Sequence, residues 1–396
     1  MVSLTETGRV DKPVILLVVG TRPEAIKVAP LVQTLRADGR FDAVLIGSGQ
    51  HDEPVRQALD AFGLVPDIML RLERTTGSLV ELAALLMPAL DVHLQRLTPA
   101  ACVVHGDTIT ASAAAFAAFL RQIPVVHLEA GLRTGNLASP FPEEGNRVVI
   151  DHLCALHLAP TDEAAANLAR EGIADDRVLV TGNTVIDAIQ FVAGRDVPFR
   201  DPRLAEVEAS GRRMVLVTVH RRESWGEPIR RVLRAVRRLV AQHDDIHVVL
   251  PTHPNPEVRR LVERELSETE RVLICGPLPY ADLARLLSRA ALVLTDSGGI
   301  QEEAPSFGVP VLVLRETTER PEAIAAGLAQ LVGTDPVRIF DEASALLSGP
   351  AGVALPVSRQ NPYGDGRAAL RSSDAIAWLL GMAARPAPFL AEPVPV

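Results

Sequence analysis

Cysteine is scarce in this chain. Cys102, Cys154 and Cys275 are the only three in 396 residues, and each stands in an apolar stretch, so they are expected as buried thiols in a reducing compartment, not as a disulfide set. No metal-ligand spacing accompanies them. Basic charge is also in short supply: 40 Lys and Arg against 49 Asp and Glu leave a formal net charge of -9. That excludes a general nucleic-acid binder, which needs a broad basic surface. No apolar run reaches membrane-spanning length, and the polar, acid-bearing residues 1–12 do not read as a signal peptide. A cytoplasmic protein with no membrane partner is the expectation. Internal sequence repeats are lacking as well.

What the chain does have is a long alternation of short apolar runs and helical periods. Val14–Val19, residues 43–46, 101–104 and 125–127, Leu156–Ala159 and Val178–Val180 are β-branched runs, with helical stretches such as 29–36 and 80–97 between them. A second series follows at residues 214–219, 246–250, 272–274, 292–294 and 311–314. Helical periods separate these at 228–243, Pro256–Leu266, 280–290 and 300–307. Such alternation predicts an α/β protein of two doubly wound, Rossmann-like domains with parallel sheets. The expected division is residues 13–190 and 191–366, with 194–213 as linker. Residues 367–384 are read as a C-terminal helix and 385–396 as a Pro-rich tail with little reason to be ordered.

Charged or Gly-rich motifs follow these runs, where ligands bind in open α/β sheets. Gly20-Thr21-Arg22-Pro23 sits at a strand-to-helix turn: either an anion site using Arg22 and Lys27, or a tight turn with two solvated cations. Asp296-Ser297-Gly298-Gly299 repeats the arrangement. There Ser297 is a candidate helix cap, the N–H groups of Gly298 and Gly299 suit a diphosphate, and Glu303 suits a ribose diol. Asp107, Glu129 and Glu143 are carboxylates beside strand ends or in the long loop after Arg133. A single loop acid is usually just solvated, but these converge with Asn146 and Arg147, and carboxylates brought together raise one another's pKa and become acids and bases near neutral pH. His220, in His220-Arg221-Arg222-Glu223, suits phosphate or a proton; His253 stands in a rigid Pro frame. Together the motifs describe an anionic substrate held between two domains.

In this order the motifs resemble the non-hydrolysing UDP-N-acetylglucosamine 2-epimerase family. The likeness runs from about residue 14 to 371 and includes Gly182-Asn183-Thr184-Val185-Ile186-Asp187, Thr317-Thr318-Glu319-Arg320-Pro321-Glu322 and Asn361-Pro362-Tyr363-Gly364-Asp365-Gly366. The resemblance implies a glycosyltransferase-B-like arrangement with a cleft between the domains, and a C-terminal helix crossing back to the first. It also implies inversion at C2 of UDP-GlcNAc to give UDP-ManNAc, through elimination of UDP to a 2-acetamidoglucal and re-addition. By matching motifs, Asp107, Glu129 and Glu143 would be acid/base groups, with Lys27, Arg147 and His220 as electrostatic partners. Arg22, His253, Ser297, Gly298, Gly299, Glu303 and Arg320 would hold UDP, Tyr280 would line the uracil pocket, and no metal or other cofactor is implied. A homodimer is implied too, as is a second, activating UDP-GlcNAc site at Gln50, His51 and Arg74. Departures are Ser224 where Asn is usual, Ile109-Thr110 where further Thr is common, and Asp52 in place of Arg. Competing readings are a hydrolysing 2-epimerase, a 2-epimerase for a modified UDP-amino sugar, a glycosyltransferase and a non-catalytic nucleotide-sugar binder.

Overall fold

A computed structural model describes residues 12–221, 225–349 and 360–391. They fall into two compact units, one drawn from Met1–Ala188 and Gly364–Leu390, the other from Ile189–Tyr363 and Ala391–Val396.

The first unit alternates strand and helix. It contains β1 (Val14–Val19), α1 (Arg22–Asp38), β2 (Asp42–Gly47), α2 (Asp52–Asp60), β3 (Ile68–Met69), α3 (Leu79–Leu97), β4 (Ala101–His105), α4 (Ile109–Leu120), β5 (Val125–Leu128), α5 (Glu143–Leu153), β6 (Leu156–Ala159), α6 (Asp162–Arg170), β7 (Val178–Val180) and the start of α7 (Thr184–Ala193). The order β3-β2-β1-β4-β5-β6-β7 is parallel throughout. Helices cover both faces, which is why Val14–Val19 reads as one apolar run with no polar alternation. The strand order reverses between β1 and β4, the switch point where ligands bind in such sheets.

The second unit repeats the scheme. Its elements are α8 (Pro202–Ala209), β8 (Arg213–Thr218), α9 (Glu227–Gln242), β9 (Ile246–Pro251), α10 (Pro256–Leu266), β10 (Val272–Cys275), α11 (Tyr280–Arg289), β11 (Ala290–Thr295), α12 (Gly298–Glu303), β12 (Val311–Val313), α13 (Pro321–Ala325), β13 (Ala329–Leu331) and α14 (Pro336–Ser348). The parallel order β10-β9-β8-β11-β12-β13 puts its switch point between β8 and β11.

Two expectations need correction. Residues 194–213 are not a free linker, because α8 lies within them and buries Leu204 and Val207, while Asp282 accepts from the Arg200 N–H (3.2 Å) and Arg285 pairs with Glu208 (2.6 Å). Nor are residues 385–391 loose. Phe389 is buried, its N–H donates to Val180 O (2.8 Å), the Arg371 guanidinium lies 5.4 Å from its ring centre, and Arg385 donates to Asp175 O and Val178 O. One aromatic anchor is enough to hold a Pro-rich strand of chain that composition alone marks as unfolded. Residues 392–396 lie outside the described residues.

The C-terminal helix α15 (Ala368–Leu379) packs on α1 in the first unit, with Arg40 bonded to Asp374 (2.7 Å) and Ser373 to Asp38 (2.7 Å). Its first amides, of Ala368 and Ala369, donate to the buried Asp187 carboxylate (3.2 and 2.8 Å). All three cysteines are buried and unbridged. Among the described residues no helix is long and apolar enough to cross a membrane.

Candidate active site

In the first unit, charge gathers at the switch point. β4 ends at His105, and the chain turns through Gly106 (φ 64°) into Asp107 and Thr108, whose hydroxyl caps α4 by accepting from Ala111 N–H (3.0 Å). Glu129 follows β5 in the left-handed region (φ 66°), uncommon for a residue with a Cβ. The N–H groups of Glu129 and Ala130 both donate to Leu158 O (3.1 and 3.2 Å), which holds that conformation against its preference. Glu129 Oε2 receives the Lys27 ammonium from α1 and the Asn183 side-chain amide (2.8 Å). Burial opposes ionisation of Glu129, but the Lys27 charge outweighs it and keeps the carboxyl low.

Asp107 is served separately, by Arg147 Nη2 from α5 (2.5 Å), while Asn146 Nδ2 donates to its carbonyl (2.8 Å). Arg147 also reaches Glu144 (3.1 Å), whose other oxygen accepts from Thr134 and Gly135 N–H (2.9 and 2.8 Å). Burial pushes Glu144 up, yet these bonds hold it below the usual carboxylate range. The expected mutual raising of clustered carboxylates is thus corrected for Glu129, which has its own cation in Lys27, while Asp107 is paired with Arg147. Glu143 opens α5 half-exposed and joins neither pair. Arg133 belongs to the framework, bridging Asp151 and Glu171 (2.7 and 2.6 Å). Asp151 in turn faces His127 (2.5 Å), whose Nε2 meets Gly106 O (2.8 Å), and this buried chain pins the turn bearing Asp107.

The Gly20 turn is also different from either expectation. Gly20 and Thr21 N–H both donate to Glu24 Oε2 (2.9 and 2.7 Å), so an internal carboxylate takes the amides that a ligand anion would need. Gly20 itself is required by crowding, since a Cβ there would meet Thr110 Oγ1 at 2.2 Å. Arg22 sits half-buried at the first helical position. Gln50 accepts from Thr110 Oγ1 (2.8 Å) beneath the same turn. His51 is exposed before α2, Asp52 pairs with Arg56 (2.6 Å), and Arg74 donates to Gly77 O (2.6 Å) in its own loop.

In the second unit the turn after β8 is likewise held by a carboxylate, while the turn into α12 stands more open. Asp296, fully buried after β11, accepts from the N–H groups of His220 and Arg221 (2.9 and 3.0 Å) and lies 3.2 Å from His220 Nδ1. It therefore fixes the ring that sequence reasoning picked out. Residues 222–224 of that motif lie outside the described residues. Ser297 precedes α12 without a side-chain cap bond, and a Cβ on Gly298 would lie 3.7 Å from the guanidinium groups of both Arg221 and Arg320. Arg320 is braced by Glu302 (2.5 Å). Glu303 is buried and accepts from Tyr280 OH (3.1 Å), so these two predicted binding residues meet each other. His253 accepts from Asn255 N–H (3.1 Å), and its ring centre is 6.0 Å from that of Trp225. Asn361 and Tyr363 bind Glu302 O and Glu322 (2.9 and 3.1 Å) and serve the unit's frame.

The model of the family described as UDP-N-acetylglucosamine 2-epimerase matches residues 33–377. The chain belongs to the UDP-N-acetylglucosamine 2-epimerase family. Its relatives include an Escherichia coli (strain K12) UDP-N-acetylglucosamine 2-epimerase, 45% identical over 91% of this chain and 98% of that one. A solved structure of a UDP-N-acetylglucosamine 2-epimerase matches 96% of this chain and 100% of its own at 40% identity and a TM-score of 0.88. The Neisseria meningitidis UDP-GlcNAc 2-epimerase bound to UDP-GlcNAc matches 92% and 100%, at 38% identity and a TM-score of 0.79. The fold is the glycosyltransferase-B-like class expected from the sequence. Within this epimerase framework the residues missed from sequence are His105, Asn183, Asp296 and Glu24. Asn183 and Asp296 lay inside motifs already noticed and Glu24 and His105 directly beside them, but their partners are distant in sequence or belong to the backbone, and spacing carries no sign of that.

Proposed function

We propose that the protein interconverts UDP-GlcNAc and UDP-ManNAc without hydrolysis, by elimination of UDP to a 2-acetamidoglucal and re-addition to the opposite face. The observation that carries this reading is the division of charge. The first unit holds carboxylates each matched to one cation, Glu129 to Lys27 and Asp107 to Arg147. The second sets two guanidinium groups beside Gly298. The C2 proton of the sugar is weakly acidic, having no carbonyl on its carbon, so its removal must be coupled to departure of UDP from C1. Cations that stabilise the leaving diphosphate are therefore as necessary as the base. In this reading Asp107, Glu129 and Glu143 move protons. Lys27, Arg147 and His220 are their electrostatic partners, while Arg22, His253, Ser297, Gly298, Gly299, Glu303 and Arg320 serve the nucleotide, with Tyr280 ordering Glu303.

Incubation with UDP-GlcNAc in deuterium oxide, followed by proton NMR, tests it: both epimers acquire deuterium at C2 with no acceptor added and no UDP accumulating. Full retention of the C2 hydrogen, or stoichiometric release of UDP, overturns it. Activation by a second UDP-GlcNAc is weak in our reading, because Asp52 is an anion already paired with Arg56 and Arg74 is turned onto its own loop. Reverse conversion from pure UDP-ManNAc then starts without a lag.

We also infer a homodimer. Phe116, Phe119 and Leu120 form one exposed face of α4, the helix packed between α3 and α5, which expose Val92 and Val149. Sedimentation of the wild type and of Phe119→Asp decides it, the variant being monomeric if that face is the interface. A cytoplasmic setting fits the three unbridged thiols.

A further inference from the structure

Three histidines are fully buried among the described residues, His105, His127 and His157. Both nitrogens of His127 and of His157 have an oxygen within hydrogen-bond distance. His105 is not: neither ring nitrogen has a hydrogen-bond partner. A buried polar group left in that state calls for an explanation. Its Nε2 points towards Glu129, 3.8 Å from Oε1. That is the one carboxylate oxygen of Glu129 which accepts no hydrogen bond among the described residues, Oε2 being committed to Lys27 and Asn183.

We propose that His105 is a positioning residue for Glu129, a neutral imidazole whose Nε2–H closes onto Oε1 and fixes the free edge of the carboxylate while it exchanges a proton. A small rotation of the Glu129 side chain shortens 3.8 Å to hydrogen-bond length. The inference rests on the reading of Glu129 as a proton-transfer group. The groups facing His105 are Glu129, Lys27 from α1, Asp107 after β4 and His127 on β5. Burial, the largest influence, pushes the His105 ring down to about 4 against the pull of Glu129, so near neutral pH it is uncharged. Neutrality matters chemically. A second cation beside Lys27 would push Glu129 lower still, whereas a neutral donor orders the oxygen without adding a second full positive charge.

The test pairs His105→Phe, which keeps a ring and removes the donor, with His105→Gln, which restores an amide N–H near the Nε2 position. The Phe variant is expected to lose about tenfold or more in kcat, with KM for UDP-GlcNAc and Kd for UDP within about twofold, and the Gln variant to recover most of the loss. Wild-type kcat in His105→Phe, or equal impairment of both variants with Tm unchanged, overturns the proposal. Nitrogen-15 NMR of histidine-labelled wild-type protein provides a readout independent of turnover. The resonance missing from His105→Gln is expected to report a neutral Nε2–H ring at pH 7 and to shift in Glu129→Gln. An imidazolium signal, or no response to that change, overturns it even if His105→Phe fails to fold. Absence of epimerisation by the wild type would instead remove the functional reading while the NMR arm still judges the contact.

Discussion

The two sheets share one topology and each closes its first switch-point turn with a carboxylate, yet they differ at the helix after the second switch-point strand. In the first unit the helices there are closed from within: Glu24 takes the amides of the turn into α1, and the Thr108 hydroxyl caps α4 and donates to Glu24. In the second, Asp296 takes the amides of His220 and Arg221 in the same way, but Ser297 makes no cap bond and the start of α12 faces Arg221 and Arg320. The helix after the second switch-point strand is thus capped by a side-chain hydroxyl in one case and left with cations beside a Gly pair in the other. The lesson is that a Gly-containing strand-to-helix turn does not announce an anion site; whether a local carboxylate reaches back decides it.

The comparison breaks most visibly in catalysis. Asp107→Asn, Glu129→Gln and Glu143→Gln are each expected to lower turnover by about two orders of magnitude or more while calorimetry still finds UDP binding, since the changes are near-isosteric and remove proton transfer. If these variants lose UDP binding instead, the three carboxylates are not confined to proton transfer. Next in size are the guanidinium changes. Arg221→Ala is expected to weaken UDP binding by about 10–100-fold with Tm held, because its partner Glu319 keeps Arg315 (2.7 Å). Arg320→Ala weakens UDP similarly and also lowers Tm, because it strips the buried Glu302 of its braced guanidinium.

A carboxylate closing a helix in the first unit can also be tested by pH. Burial lifts Asp187 from 3.8 to about 6, so the folded state holds its proton more tightly than the unfolded chain. Its stabilising contribution is full below about 4 and is lost as pH rises through 6, above which a buried charge works against the fold. Asp187→Asn is expected to be more stable than wild type at pH 7.5, by up to about 3 kcal/mol, with the gap narrowing towards pH 4; denaturant melts at the two pH values check it. The smallest effects sharpen the comparison of caps. Thr108→Ala should cost about 1–2 kcal/mol of stability, and Ser297→Ala less than about 0.5 kcal/mol while still weakening UDP. Equal losses in the two would show that the second turn is capped after all.

Much of the fold was legible because buried parallel strands need uninterrupted apolar residues. The runs at Val14–Val19 and Leu156–Ala159 are strands to the residue, and α10 was read over its full length. The Ala-rich α4 was passed over, since ITASAAAFAAFL has no polar face to set a period, and β3 and β13 are too short to show one. At the site, the motifs named most of the charged groups. They gave no warning that Glu24 would occupy the first turn, or that Tyr280 and Glu303 would bind each other.

Residue order by itself determined the two parallel α/β sheets and the family, because strand burial and motif succession are written locally along the chain. Tertiary structure alone decided which charge meets which: Lys27 with Glu129 across 102 positions, Arg147 with Asp107 across 40, His220 with Asp296 across 76. It also decided that Phe389 holds down a tail composed to be loose. A carboxylate's proton affinity and a histidine's charge depend on the groups within a few ångströms and on the water excluded around them, and those neighbours come together only when distant segments fold onto one another.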